Sequence, residues 1–180
     1  MTYTSKPLPP KTHHHQRIPD ELFPHGYTVE GTHCGIKKSG APDLGYILST
    51  SPHPTAAAAV FTRNAFQAAP VVVSREVLAA RAGRARAVVV NSGCANAVTG
   101  AAGLANAWAM ARAADALLPD GPPADAPSEA LVLSTGVIGQ QLPIPRILAA
   151  LADARAAPRE EAGFAAWERC LLYTSPSPRD

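Results

Sequence analysis

The stretch VLSTGVIGQQLPIP, residues 132 to 145, places a hydroxyl pair and two glycines after a short apolar run. Three chemistries are open to it. Ser134 could attack a carbonyl, but the G-x-S-x-G pattern of a nucleophile elbow is absent. A phosphate could rest on the glycines. Neither this stretch nor NSGCANAVTG (91–100) reads G-x-G-x-x-G or G-x-x-x-x-G-K-[ST], however, and no acidic residue follows at the distance that holds a ribose. The third chemistry is charge stabilisation. Thr135 and Gly136 follow a buried strand, where amide groups lose their ladder partners. A hydroxyl beside a free N–H can donate two hydrogen bonds to one developing oxyanion. From these residues alone a plain structural turn competes with that reading.

NSGCANAVTG is the second candidate. Cys94 sits at a strand-to-helix turn, and a helix N-terminus lowers a thiol pKa. Such a nucleophile needs a base. His25, His33 and His53 all lie upstream, and the spacing selects none of them. The competing reading is structural: Gly93 and Gly100 form tight turns, and the Asn91 and Asn96 side chains satisfy backbone groups. Cys34, Cys94 and Cys170 contain no C-x-x-C pair, which argues against zinc. Their odd number argues against a disulfide scaffold and points to a reducing compartment. HHH at 13–15 has no Cys or carboxylate neighbour to complete a ligand set, so no metal site is expected.

The elements that position these loops follow from periodicity. GYILST (45–50) and AAAAVFTRN (56–64) read as strands, with Ser51, Pro52 and Pro54 in the turn between them. APVVVS (69–74) is a β-branched run expected to be a strand, with Ser74 capping a helix that ends at Gly83. RAVVVNSG (86–93) is a buried strand. The Ala and Leu spacing from 101 to 118 predicts a helix, and PDGPPADAP (119–127) a surface loop. EALVLS (129–134) is another buried strand. A helix from 143 to 157 follows, with Ile144, Ile147, Leu148 and Leu151 on one face, and a last helix begins at Pro158 with Phe164 and Trp167 inward. Alternating strands and helices predict an α/β layered fold.

Composition narrows the function class. Of 180 residues, 47% are hydrophobic and 6% aromatic, so a core must rest on Val, Ile, Leu and Ala. A formal charge of +2 is too small to imply a nucleic-acid or membrane partner. Arg81, Arg84 and Arg86 are expected on a solvated helix end. No apolar run approaches the roughly 20 residues of a membrane helix, and no secretory signal opens the chain. Residues 1–21 read as a disordered or transit-like segment: no acid precedes Asp20, although the prolines at 7, 9 and 10 oppose an amphipathic helix. LLYTSPSPRD (171–180) breaks the pattern and is read as a non-native tail that resembles translated sequencing adapter, which would make the chain a truncated gene product.

Four segments together resemble one family: GIKKSGAPDLGYILS, AAAVFTRNAFQAAPVVVSREVL, VVVNSGCANAVTG and VLSTGVIGQQLPIPRI. In this order, over residues 22 to 170, they look like the N-terminal, α-chain part of the bifunctional glutamate/ornithine acetyltransferases of arginine biosynthesis, in their fungal form. The resemblance implies a layered α/β sandwich of mixed sheets and helices. It implies a precursor that cuts itself between an Ala and a Thr, the freed Thr becoming the nucleophile. Acetyl passes from N2-acetylornithine, or from acetyl-CoA as a substrate, through an acetyl-enzyme to glutamate, with no cofactor or metal. The Thr-Gly of the family motif forms the oxyanion hole, which falls here on Thr135 and Gly136. A β chain from the same precursor is the implied partner, and the mitochondrial matrix the implied location. The only Thr after Thr135 is Thr174, after Tyr173, so no residue here is assigned as nucleophile. The 180 residues alone are expected to be inactive. The alternative is a non-catalytic binding subunit that kept the scaffold without the nucleophile half.

Overall fold

The computed structural model describes residues 23–156, together with 166, 167 and 170. The expectations for 1–21, for His13 to His15, for Phe164 and for 171–180 fall outside them. Strand β1 spans Tyr27–Thr32, β2 Leu44–Ser49 and β3 Thr55–Ala56. Helix α1 (Ala69–Ala80) leads through β4 (Arg84–Ala85) into β5 (Ala87–Cys94). Helix α2 (Gly100–Asp115), β6 (Ala130–Val137) and α3 (Ile144–Ala156) follow. The main sheet has the order β1-β2-β5-β6; only the β5/β6 pair is parallel, and β3 with β4 forms a small ribbon. The α/β layering expected from the sequence is present.

Side-chain alternation decides where the core lies. Leu44, Tyr46 and Leu48 of β2 share a face with Ala87 and Val89 of β5 and Ala130 and Val132 of β6. These pack with Val73 and Val77 of α1, Ala107, Met110, Ala111 and Ala114 of α2, and Ile147 and Leu151 of α3 in one buried cluster. The small alanines of α2 let that helix approach the sheet closely. The opposite face meets Ala166 and Trp167. There Gly31 and Gly45, cross-strand partners, leave room for the backbone at Ala166 and the Trp167 ring. A Cβ on Gly45 would stand 2.8 Å from Trp167 Cδ1.

Four expectations are corrected. Residues 69–74 are helical, not extended. Pro70 occupies the first turn of α1, and burial of Val73 and Val77 on one helix face outweighs the weak β-preference of the valines. Ser74 is therefore inside the helix rather than its cap. Residues 57–64 form no strand. Thr62 Oγ1 accepts from the Asn64 N–H and Asn64 Oδ1 from the Phe66 N–H, a local alternative to a ladder. Arg86 is not solvated: it is 5% exposed and meets Glu129, as Arg81 does. Finally, β6 runs past residue 134 to Val137, so Thr135 and Gly136 are its last turns of ladder rather than a loop behind it. Strand β1 had no sequence prediction. It pairs with β2 over all six residues.

Candidate functional site

The two glycine motifs are one structure. Both begin within the C-terminal ends of the parallel pair β5 and β6, where crevices of α/β sheets open. Ala95 N–H donates to Val137 O at 2.9 Å, and Gly139 N–H to Ala97 O at 2.9 Å. The Cys94 thiol donates to Gln140 O at 3.0 Å, and Gln141 Nε2 to Thr99 O at 2.9 Å. Asn91, fully buried, joins the two strands. Its Nδ2 donates to Cys94 O at 2.8 Å, and its Oδ1 accepts from Ser134 Oγ at 2.6 Å. Asn96 Nδ2 donates to Gly103 O at 2.9 Å. The asparagines thus satisfy backbone groups, as the structural reading of this turn predicts.

This arrangement removes two nucleophile candidates. The Ser134 hydroxyl is committed to Asn91, and buried Cys94 to a backbone carbonyl. His33, one of the three bases considered for Cys94, faces Ala41 O and Asp43 instead.

Backbone parity places the remaining donors. Ala87 N–H donates to Glu129 O and Ala95 N–H to Val137 O, so odd-numbered residues of β6 turn their amides toward β5. Even-numbered ones face the open edge. Val132 shows it: its N–H and C=O both bond to Ser74 Oγ of α1, at 2.9 and 2.8 Å. By the same parity Gly136 N–H faces the open edge, past the reach of Ser74. Thr135 pairs with Ser92 on the face away from the helices and is part-exposed. A hydroxyl and an amide from successive residues therefore stand at one open corner of the sheet.

The corner needs glycine. Gly136 has φ +128°, and a Cβ there would lie 2.5 Å from Cys94 N and closer still to the Gly93 carbonyl carbon. Gly93 has φ +105°, and its Cβ would lie 2.8 Å from Ile36 Cγ2. The loop carrying Ile36 is held by Asp43, which is fully buried. Its carboxylate accepts from the N–H groups of Cys34, Ile36 and Lys37 at 2.6, 2.7 and 2.8 Å. Burial acts to raise the Asp43 pKa, but the N–H donors, Cys34 and Lys37 foremost, outweigh it and hold the carboxyl below its ordinary value. Burial, and then Asp43, push the Cys34 thiol up to about 12, which makes it a poor nucleophile. Lys37 Nζ donates to Pro42 O at 2.5 Å and to Cys170 O at 3.4 Å, and burial lowers its pKa. Neither Asp43 nor the Asn91–Ser134 bridge was singled out from the sequence. The Pro-Asp that ends the Gly-rich run 35–43 was the available signal.

Among the described residues no group of three or more His, Cys, Asp and Glu could hold a metal ion. No described helix is long and apolar enough to cross a membrane.

The profile of the ArgJ family matches residues 28–171. The chain belongs to the ArgJ family. ArgJ relatives in fungi are close in sequence. The arginine biosynthesis bifunctional protein ArgJ, mitochondrial, of Laccaria bicolor is 57% identical over 93% of this chain and 35% of its own length. That of Postia placenta is 58% identical over 93% of this chain and 36% of its own length. The chain thus spans about a third of the ArgJ relatives it matches. The ornithine acetyltransferase of Mycobacterium tuberculosis, solved in complex with ornithine, superimposes with a TM-score of 0.74 at 40% identity, over 86% of this chain and 79% of that one. ArgJ from Bacillus halodurans gives 0.69 at 35% identity, over 85% and 75%.

Proposed function

We propose that this chain carries the oxyanion-binding part of an acetyltransferase of arginine biosynthesis. The carrying observation is the open corner of β6, where the Thr135 hydroxyl and the outward Gly136 N–H follow one another. Membership of the ArgJ family and the likeness to an ornithine acetyltransferase support it. The nucleophile, an N-terminal Thr freed by self-cleavage, comes from sequence outside these 180 residues.

The reaction runs in two halves. The Thr hydroxyl attacks the acetyl carbonyl of N2-acetylornithine, its proton passing to the Thr α-amine. The carbonyl oxygen becomes an oxyanion, and Thr135 Oγ1–H and Gly136 N–H donate to it. Collapse expels the ornithine amine, which takes the proton, and leaves an acetyl ester. The glutamate amine then attacks that ester and gives a proton to the Thr α-amine, the same two donors hold the second oxyanion, and its collapse releases the Thr oxygen, which takes that proton back as the hydroxyl. Acetyl-CoA enters as an alternative acetyl donor in the first half. No cofactor or metal is invoked. The substrates, the partner β chain of the same precursor and a mitochondrial matrix location all belong to this proposal. The location rests on relatives named as mitochondrial.

The test uses the full coding sequence. Its purified product is expected to split into two chains and to form N-acetylglutamate and ornithine from N2-acetylornithine and glutamate, with ping-pong kinetics. An intact, uncleaved product without transferase activity contradicts the reading.

A further inference from the structure

Asp43 lies on the far side of the sheet corner from Thr135, yet an unbroken run of close contacts connects them. Its carboxylate gathers the Cys34, Ile36 and Lys37 amides, and Arg146 Nη1 from α3 donates to Gly35 O at 3.1 Å. This fixes the turn that presents Ile36. The Ile36 side chain then fills the space a Gly93 side chain would need, and Gly93 backs directly onto Gly136. A second tie runs through the backbone. Asp43 O accepts from the Ser92 N–H at 2.8 Å, and Ser92 is the register partner of Thr135. Both donors proposed for the oxyanion thus rest on strand β5 positions that Asp43 braces, one through Ile36 and one directly.

Resting on the reading of Thr135 and Gly136 as the oxyanion hole, we infer that Asp43 is a positioning residue for acetyl transfer. Its carboxylate sets the Cys34–Lys37 turn that holds Gly93, and through it Gly136, in register. Asp43 is fully buried and its carboxylate is spent on the turn's amides and the His33 ring, so it acts through other residues. A side chain with a single acceptor oxygen cannot hold three N–H donors and the His33 ring at once. His33 Nδ1 stands 3.1 Å from Asp43 Oδ2. The carboxylate's low pKa is the mark of that crowding of donors.

The test is a double-mutant cycle in the full-length enzyme with Asp43→Asn and Thr135→Val. Asp43→Asn is expected to lower kcat by roughly ten- to a hundredfold, since sub-ångström misplacement of catalytic groups has that scale, with KM for N2-acetylornithine little changed. In the Thr135→Val background the same substitution is expected to cost less than in the wild type, because only the Gly136 N–H is left for it to misplace. Amide exchange at Cys34, Ile36 and Lys37 should quicken in Asp43→Asn. Wild-type kcat in Asp43→Asn, or equal losses in both backgrounds, overturns the positioning role while Thr135→Val remains slow. Wild-type kcat in Thr135→Val overturns the oxyanion reading itself, and the positioning role with it. If Asp43→Asn does not fold, Ile36→Ala serves: it opens the space behind Gly93 and leaves the carboxylate in place. A kcat loss with KM little changed, persisting in the Thr135→Val background where the Gly136 N–H remains, supports the inference, and wild-type kcat contradicts it.

Discussion

Gly136 of β6 backs onto Gly93 of β5 so closely that Gly136 cannot carry a side chain, while Ile36 fills the space on the other side of Gly93. The contact joins the ends of two parallel strands and fixes the corner where Thr135 and Gly136 lie part-exposed. Gly136→Ala would meet both a positive φ and the Gly93–Cys94 peptide. Left-handed strain alone costs about 1–3 kcal/mol, and a backbone clash adds to it. The expected result is a fall in stability of more than about 3 kcal/mol, read as a lower urea midpoint or loss of soluble protein. A wild-type midpoint would contradict the packing described.

Ser74 takes the place of a neighbouring strand at the β6 edge, since one hydroxyl serves both the N–H and the C=O of Val132. Ser74→Ala leaves both groups buried and unpaired, at a cost of about 2 kcal/mol. Ser74→Thr keeps the hydroxyl and should retain more of the stability than the alanine. Thermal melts of the two variants decide the matter, and equal losses would argue against the hydrogen bonds.

Glu129 holds two arginines, Arg81 at 3.1 Å and the buried Arg86 at 3.5 Å. Removing the carboxylate leaves the buried Arg86 guanidinium with the Asp120 carbonyl but without a counter-charge. Glu129→Ala is expected to cost roughly 3 kcal/mol or more, and Arg81→Ala, on a more exposed partner, well under that. Denaturant midpoints of the pair should rank in this order. The reverse ranking would show that burial of Arg86 is not the controlling factor.

Two groups give opposite pH dependences. The folded pKa of Asp43 lies below the ordinary 3.8. The stability it contributes is therefore present above that value and lost as the pH falls through the lower folded pKa. Cys34 is raised from 9.0 to about 12, so its contribution is present below pH 9 and lost as the pH rises from 9 toward 12, where the unfolded thiol ionises first. Melting temperatures of Asp43→Asn should converge on wild type in acid, and Cys34→Ala should flatten the alkaline limb. Parallel curves at all pH values would contradict both assignments.

Parts of this were legible in the sequence and parts were not. Buried strands 86–93 and 129–134 were plain because short apolar runs between turn residues leave little choice. The Thr135–Gly136 pair was visible as donors, but not its placement inside the ladder, because strand ends depend on a partner 43 positions upstream in register. The valines of α1 misled because helix or strand there is decided by the face they bury, a tertiary fact. Arg86 looked like surface charge because its partner Glu129 is distant in sequence. Asp43 was missed because its donors are backbone amides, so the Pro-Asp that ends run 35–43 was the only hint and named no partner.

Thr135→Val tests the central claim most directly. Valine keeps the shape and removes the hydroxyl donor while Gly136 N–H stays. In the full-length enzyme kcat for acetyl transfer from N2-acetylornithine to glutamate is predicted to fall about a hundred- to a thousandfold, as for loss of one oxyanion donor elsewhere, with self-cleaved chains still assembled and KM nearly unchanged. An unchanged kcat, or a rise in KM alone, would show that Thr135 binds ground-state substrate or only shapes the turn, and the oxyanion assignment would fall.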